Sequence, residues 1–176
     1  MQSLPEDTFS SYWSYLLYEL AHYKPTLILF LIVVSLLSLI VLYRNNEVCV
    51  GVSVVLILLC FCSSGVIIGE GFEKPITHED FETNLSVEVI VRKPAGKEWG
   101  TVAYNMNQYL FNERLWNTPY YFYSGRECRD FFRTITKNVP KNTGPILKEY
   151  MSKAVQIEKE AQREYWRKQY PKADLL

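Results

Sequence analysis

The run TLILFLIVVSLLSLIVLY at Thr26–Tyr43 and the run VCVGVSVVLILLCFCSSGVIIG at Val48–Gly69 are separated only by Arg44-Asn45-Asn46-Glu47. A bilayer-crossing helix needs roughly 20 apolar residues at about 1.5 Å rise each, and both runs meet that length. No charged residue falls between Pro25 and Arg44, and none between Glu47 and Glu70. A soluble core hairpin is a poor explanation, because a chain of 176 residues cannot wrap two such helices in protein. The mean hydropathy of −0.07 conceals the pattern by averaging an apolar part with a polar one.

Charge divides the chain at the same place. Residues 1–69 carry Lys24 and Arg44 against Glu6, Asp7, Glu19 and Glu47, so 17 basic and 15 acidic residues of the 19 each fall in 70–176. That second part is mixed in sign and nearly neutral, unlike a nucleic-acid binder, and its interleaved aromatic and apolar residues favour a folded domain. The first run lacks the basic lead and short core of a cleavable signal, which predicts a retained anchor. A four-residue turn makes the two spans antiparallel neighbours with both chain ends on one side. Lys24 and Lys74 flank that side and Arg44 the turn, which favours cytosolic termini. The single outer thiol, Cys128, fits a reducing compartment.

Residues facing each other across a turn centred on Asn45-Asn46 have numbers summing to about 91, which sets Ser38 level with Ser53 and Thr26 with Gly65. Small residues let helices approach closely in lipid, and Gly65 with Gly69 forms a small-xxx-small step suited to a second copy. Candidate helix-packing residues are therefore Ser38, Ser53, Gly65 and Gly69. No ionisable residue lies inside either span, which speaks against an ion or proton path. Cys60 and Cys62 stand about 200° apart around a helix and cannot converge on one metal ion; with Cys49 they read as small apolar side chains, acylation being the other option.

Outside the hairpin, the aromatic and aliphatic stretch from Phe9 to Leu20 suggests a short interfacial helix, with packing on the outer domain as the other reading. His78-Glu79-Asp80 and Glu82 read as part of a solvated loop running through Thr83 rather than a metal site. Leu85, Val87, Val89 and Val91 alternate with Ser86, Glu88 and Arg92, predicting a half-buried strand stopped by Lys93-Pro94-Ala95-Gly96. Trp99, Val102, Ala103, Met106 and Leu110 recur at helical spacing, predicting a helix over about 97–112. Pro119 and the aromatic run Tyr120-Tyr121-Phe122-Tyr123 suit an extended, packed segment turning at Ser124-Gly125. A short helix follows around Cys128, Phe131, Phe132 and Ile135, and a long one from about Pro145 to Gln169.

The expected organisation is thus an N-terminal interfacial segment (1–24), a transmembrane helical hairpin (25–69, spans about 26–43 and 48–69) and a domain over 70–176. The fold class this predicts is a membrane protein: an antiparallel two-helix hairpin followed by a small, mainly helical α+β soluble domain.

The string Trp99, Val102-Ala103, Asn105-Met106-Asn107, Tyr109-Leu110, Trp116-Asn117-Thr118-Pro119-Tyr120-Tyr121-Phe122-Tyr123, Gly125, Cys128 and Phe131-Phe132 resembles the signature of the yeast DUP/COS family of small multispan membrane proteins. The close pair of spans fits that family as well. The resemblance implies residence in secretory, endosomal or vacuolar membranes, a part in cargo sorting, and no enzymatic activity. Some relatives carry a C-terminal dilysine retrieval signal that engages a vesicle coat; Pro171-Lys172-Ala173-Asp174-Leu175-Leu176 does not match it. Candidate signature or core residues are Trp99, Asn105, Asn107, Trp116, Asn117, Tyr120, Tyr123 and Cys128, with both tryptophans assigned to the core.

Two classes of function follow. One is an integral membrane adaptor, partnered by the lipid bilayer, by further copies or family members as homo- or hetero-oligomers, and by trafficking machinery, without nucleic acid, metal or cofactor. The other is a membrane-anchored enzyme whose site assembles in space. The chain has no GxSxG, HExxH, P-loop or dinucleotide fingerprint, which favours the first.

Overall fold

The structure, a computed structural model, describes residues 3–72, 79–137, 139 and 144–171. Its helices are α1 (Pro5–Thr8), α2 (Tyr12–His22), α3 (Lys24–Leu42), α4 (Glu47–Phe72), α5 (Glu79–Arg92), α6 (Trp99–Asn112), α7 (Gly125–Lys137) and α8 (Pro145–Gln169), with a 3-10 turn at Gly96–Glu98. The chain forms two compact units, one from Trp13–Pro75 and the other from Met1–Tyr12 together with Ile76–Leu176.

In the first unit α3 packs on α4. Asn46 starts α4 as a cap, its side-chain oxygen accepting the Cys49 N–H at 3.2 Å. Among the described residues Leu36 and Ser53 are the buried ones of the pair, 9% and 3% exposed. Most other apolar side chains face outward, Phe30, Val41, Leu59 and Phe61 among them. Water would penalise that arrangement heavily, whereas hydrocarbon does not. Four hydroxyls are closed locally: Ser35, Ser38, Ser63 and Ser64 each donate to a carbonyl three or four residues back, at 2.7–3.0 Å.

The second unit is a helical packing in which α5 lies on α8 and α6, and α7 lies on α6 and α8. Its core contains Leu4, Phe81, Leu85, Val89, Trp99, Val102, Ala103, Met106, Leu110, Tyr121, Phe122, Cys128, Phe132 and Ala154. On α6 the buried face is the spaced set Trp99, Val102, Ala103, Met106, Asn107 and Leu110. Ser124 heads α7, accepting the Glu127 N–H at 3.3 Å, while the Glu127 carboxylate reaches back to the Tyr123 N–H at 2.6 Å. This serine-x-x-glutamate pairing satisfies two donors at the helix start. Glu158 on α8 is 5% exposed and accepts from Arg129 Nε at 3.2 Å and Arg133 Nη2 at 3.0 Å, joining α8 to two successive turns of α7.

The strand expected at 85–92 is absent; the segment is the C-terminal part of α5, so the domain is helical and not α+β among the described residues. The alternation of Leu85, Val87, Val89 and Val91 misled because the decisive residue, Phe81, precedes it. Phe81, Leu85 and Val89 stand at i, i+4 and i+8, and all three are fully buried, whereas Val91 is 70% exposed. Burying such side chains stabilises by about 1.5–3 kcal/mol each, which exceeds the few tenths by which a valine disfavours helix. The loop expected through Thr83 is likewise the first turn of α5. Acidic side chains there complement the positive end of the helix. His78 lies outside the described residues.

The α6 and α7 starts approach so closely that a Cβ on Gly125 would lie 2.5 Å from the Gly100 nitrogen and 2.7 Å from the Trp99 carbonyl carbon. Backbone cannot yield as a flexible side chain does. Gly125→Ala is therefore expected to destabilise the second unit by about 1–3 kcal/mol, the usual cost of overpacking, despite alanine's better helix propensity. Thermal unfolding of the detergent-solubilised chain checks this, and an unchanged or raised midpoint would contradict the close approach.

Candidate interaction surface

The candidate residues divide between the two units. In the hairpin, Ser53 is buried, whereas Ser38 is exposed and donates to the Val34 carbonyl at 2.9 Å. Gly65 and Gly69 are also exposed, and a Cβ on either would meet no atom within 4 Å. Their surfaces are left open by the pairing of α3 with α4.

In the second unit most candidates gather around the segment joining α6 to α7. Asn107, 2% exposed, donates through Nδ2 to the Phe122 carbonyl at 3.0 Å and accepts the Phe122 N–H at 2.6 Å. Its amide thereby satisfies both backbone groups of a buried residue that belongs to no helix. Trp99 is 1% exposed with its ring 5.6 Å from that of Phe132, and its Nε1–H has no hydrogen-bond partner among the described residues. Trp116 is half-buried, edge-on to Tyr121 at 5.2 Å. Tyr121 in turn meets Phe81, Phe122 and Phe131 edge-on at 5.9, 4.7 and 6.3 Å.

Tyr120 and Tyr123 receive the N-terminal segment. The Phe9 ring meets Tyr120 at 5.6 Å, the Tyr12 ring meets Tyr123 at 5.1 Å, and the Glu6 N–H donates to the Tyr123 carbonyl at 3.2 Å. Asn105, half-buried, donates to the Glu88 carboxylate, which also accepts from Arg92 Nε. Asn117 is exposed and lies outside the cluster. Sequence reasoning missed Leu4, Phe81 and the Glu158 clamp. Phe81 stands one helical turn before Leu85 and was open to detection by extending the window; the clamp had no local signal.

Cys128 is buried in the aromatic core. Burial pushes its thiol well up, and the carboxylates of Glu127 and Glu88 act in the same direction. Such a thiol is a packed side chain and an inert nucleophile. Burial also raises the Tyr121 phenol, with Glu127 adding to it. No group of three His, Cys, Asp or Glu side chains suited to a metal ion occurs among the described residues.

Two outcomes follow from this geometry. Asn107→Ala leaves the Phe122 N–H and carbonyl unpartnered and is expected to cost about 1–3 kcal/mol for each, well above the half-exposed Asn105→Ala, as measured by denaturation of the solubilised chain. Cys128 is expected to resist thiol reagents in the folded protein and to react once it unfolds, as read on its own peptide by mass spectrometry. Because its folded value is raised, the stability it contributes is present below the unfolded thiol's value of about 8.5 and is lost as pH rises above it. Cys128→Ala should flatten that alkaline decline; an equal decline in both proteins would contradict the assignment.

The DUP family model matches residues 17–143. The protein-toxin resistance protein KTD1 of Saccharomyces cerevisiae is 50% identical, over 98% of this chain and 88% of its own length. Pheromone-regulated membrane protein 8 of the same yeast is 38% identical, over 98% and 87%. Multicopy suppressor of SEC21 protein 27, also from that yeast, is 39% identical, over 99% and 86%. None of the three is named as an enzyme. No solved structure matches the chain. The apolar hairpin and the matched tract that carries the Trp99–Phe132 core therefore have one explanation: this is a membrane protein, and the chain belongs to the DUP family.

Proposed function

We propose that this chain is an integral membrane adaptor of the secretory or endosomal pathway, acting in trafficking or cargo sorting through its helical domain and through association with further copies or family members. The observation that carries the reading is the division of labour in the chain: two helices with outward apolar side chains and no charge over 26–43 and 48–69, and a separately packed domain built from both flanks of that hairpin. Relatives named as suppressors of SEC21 support a place in trafficking. The open surfaces at Gly65 and Gly69 support helix association in lipid. Both termini are assigned to the cytosol, on the strength of Lys24 and Lys74 against Arg44. The 50% identity with a protein named for protein-toxin resistance favours a second reading, in which the same sorting surface acts on a toxin.

Affinity purification of the full chain from mildly solubilised membranes is expected to recover family members or trafficking components. Gly65→Ile with Gly69→Ile should separate copies that cross-link in the parent. A parent that stays monomeric and recovers neither class would defeat the adaptor reading. Sidedness is checked on sealed microsomes, where added protease should digest the domain. The acceptor Asn84-Leu85-Ser86 offers a second readout: a glycan on Asn84 would put the domain in the lumen.

A further inference from the structure

Helix α8 is two-faced in a way that the adaptor reading does not use. Leu147, Met151, Ala154 and Glu158 are buried against the rest of the unit, and Tyr165 continues that side, its ring filling the space above Gly96. Gly96 holds φ +57, and a Cβ there would lie 2.8 Å from the Tyr165 ring. With the inward side fixed by these residues, the outward side of the last three turns follows from helical geometry.

Two parallel rows occupy it. Lys159, Arg163 and Arg167 stand at i, i+4 and i+8, and Trp166 and Tyr170 form a second row alongside, the five spanning an arc of about 100°. All five are exposed; Trp166 is 52% and Tyr170 58% accessible, and their rings stack at 5.7 Å. The acidic residues of this stretch are set to one flank: Glu160, which accepts from Gln156 Nε2 at 3.0 Å, and Glu164, which lines the groove shared with Arg92 and Lys93. Large rings with polar atoms suit the headgroup layer, and lysine and arginine suit its phosphates.

We propose that the Lys159-Arg163-Arg167 and Trp166-Tyr170 rows dock α8 on the anionic headgroup surface of the bilayer that anchors the chain. Charge complementarity selects this occupant, because a basic row flanked by aromatic rings matches anionic lipid. Covalent attachment selects it too, because residues 73–78 join the domain to a membrane hairpin and make the encounter intramolecular. The inference rests on the adaptor reading only for which leaflet is met in the cell.

The test uses the full chain at one copy per nanodisc, in phosphatidylcholine alone and in phosphatidylcholine with phosphatidylserine. The Trp166 signal is the difference between the parent and Trp166→Phe. In anionic discs it should shift to the blue and be quenched by brominated lipid, and high salt should reverse both effects. Lys159→Gln with Arg163→Gln is expected to weaken docking about thirtyfold, at roughly a kcal/mol for each basic residue. Protection of Cys128 from thiol reagents reports that the variant is folded. Equal quenching of Trp166 by aqueous acrylamide in both disc types would overturn the proposal. So would protection of Trp166 only at several copies per membrane, which would assign the face to a second copy. Because discs present both leaflets, failure here is separate from failure of the cytosolic assignment.

Discussion

The second unit depends on the pairing of the Asn107 amide with the backbone of Phe122. Tyr121 and Phe122 carry the rings that fill the centre of the core, yet they lie in a connection with no helical hydrogen bonds of its own. A buried peptide group without a partner costs enough to expel such a segment from an apolar interior. One carboxamide on α6 supplies both a donor and an acceptor, at 3.0 and 2.6 Å, and so lets irregular backbone enter. The contacts of Tyr121 with Phe81, Trp116 and Phe131 follow from that placement. The Ser124–Glu127 cap then restarts the helix immediately beyond.

The hairpin answers the same constraint by the opposite means. Its backbone is helical from Lys24 to Leu42 and from Glu47 to Phe72, so its donors and acceptors are closed within each span. The hydroxyls of Ser35, Ser38, Ser63 and Ser64 bond to carbonyls of their own helix. What faces outward is largely apolar side chain, with open glycines at Gly51, Gly65 and Gly69, a surface suited to lipid or to another helix.

The sequence was most legible where one residue type had one physical meaning. Charge-free length marked the hairpin, and Trp99 to Leu110 at helical spacing marked the buried side of α6. Legibility failed at α5, where valine and isoleucine read locally as strand. Helix α5 packs on α6 and on α8, and α8 lies far away in sequence. The same distance hid the Glu158 clamp, since Arg129 and Arg133 alone look like an ordinary solvated pair. Of the candidate surface, Asn107 and Trp99 stood out as rare residues in a tract resembling a family signature. Their different roles, backbone clamp and packed ring, required the fold.

The first dozen residues follow the second of the two readings open to residues 9–20, packing on the outer domain, and they add a core residue, Leu4, that had no local signal. Leu4, 5% exposed, belongs to the same core as Leu85 and Trp99, and Phe9 and Tyr12 reach Tyr120 and Tyr123. That core is assembled from both flanks of the hairpin, with Leu4 before it and Phe81 to Ala154 after it. A chain emerging in order must therefore complete α3 and α4 before Leu4 can find its partners. The packing of a single leucine thus ties the start of the chain to a core whose other members all follow the hairpin.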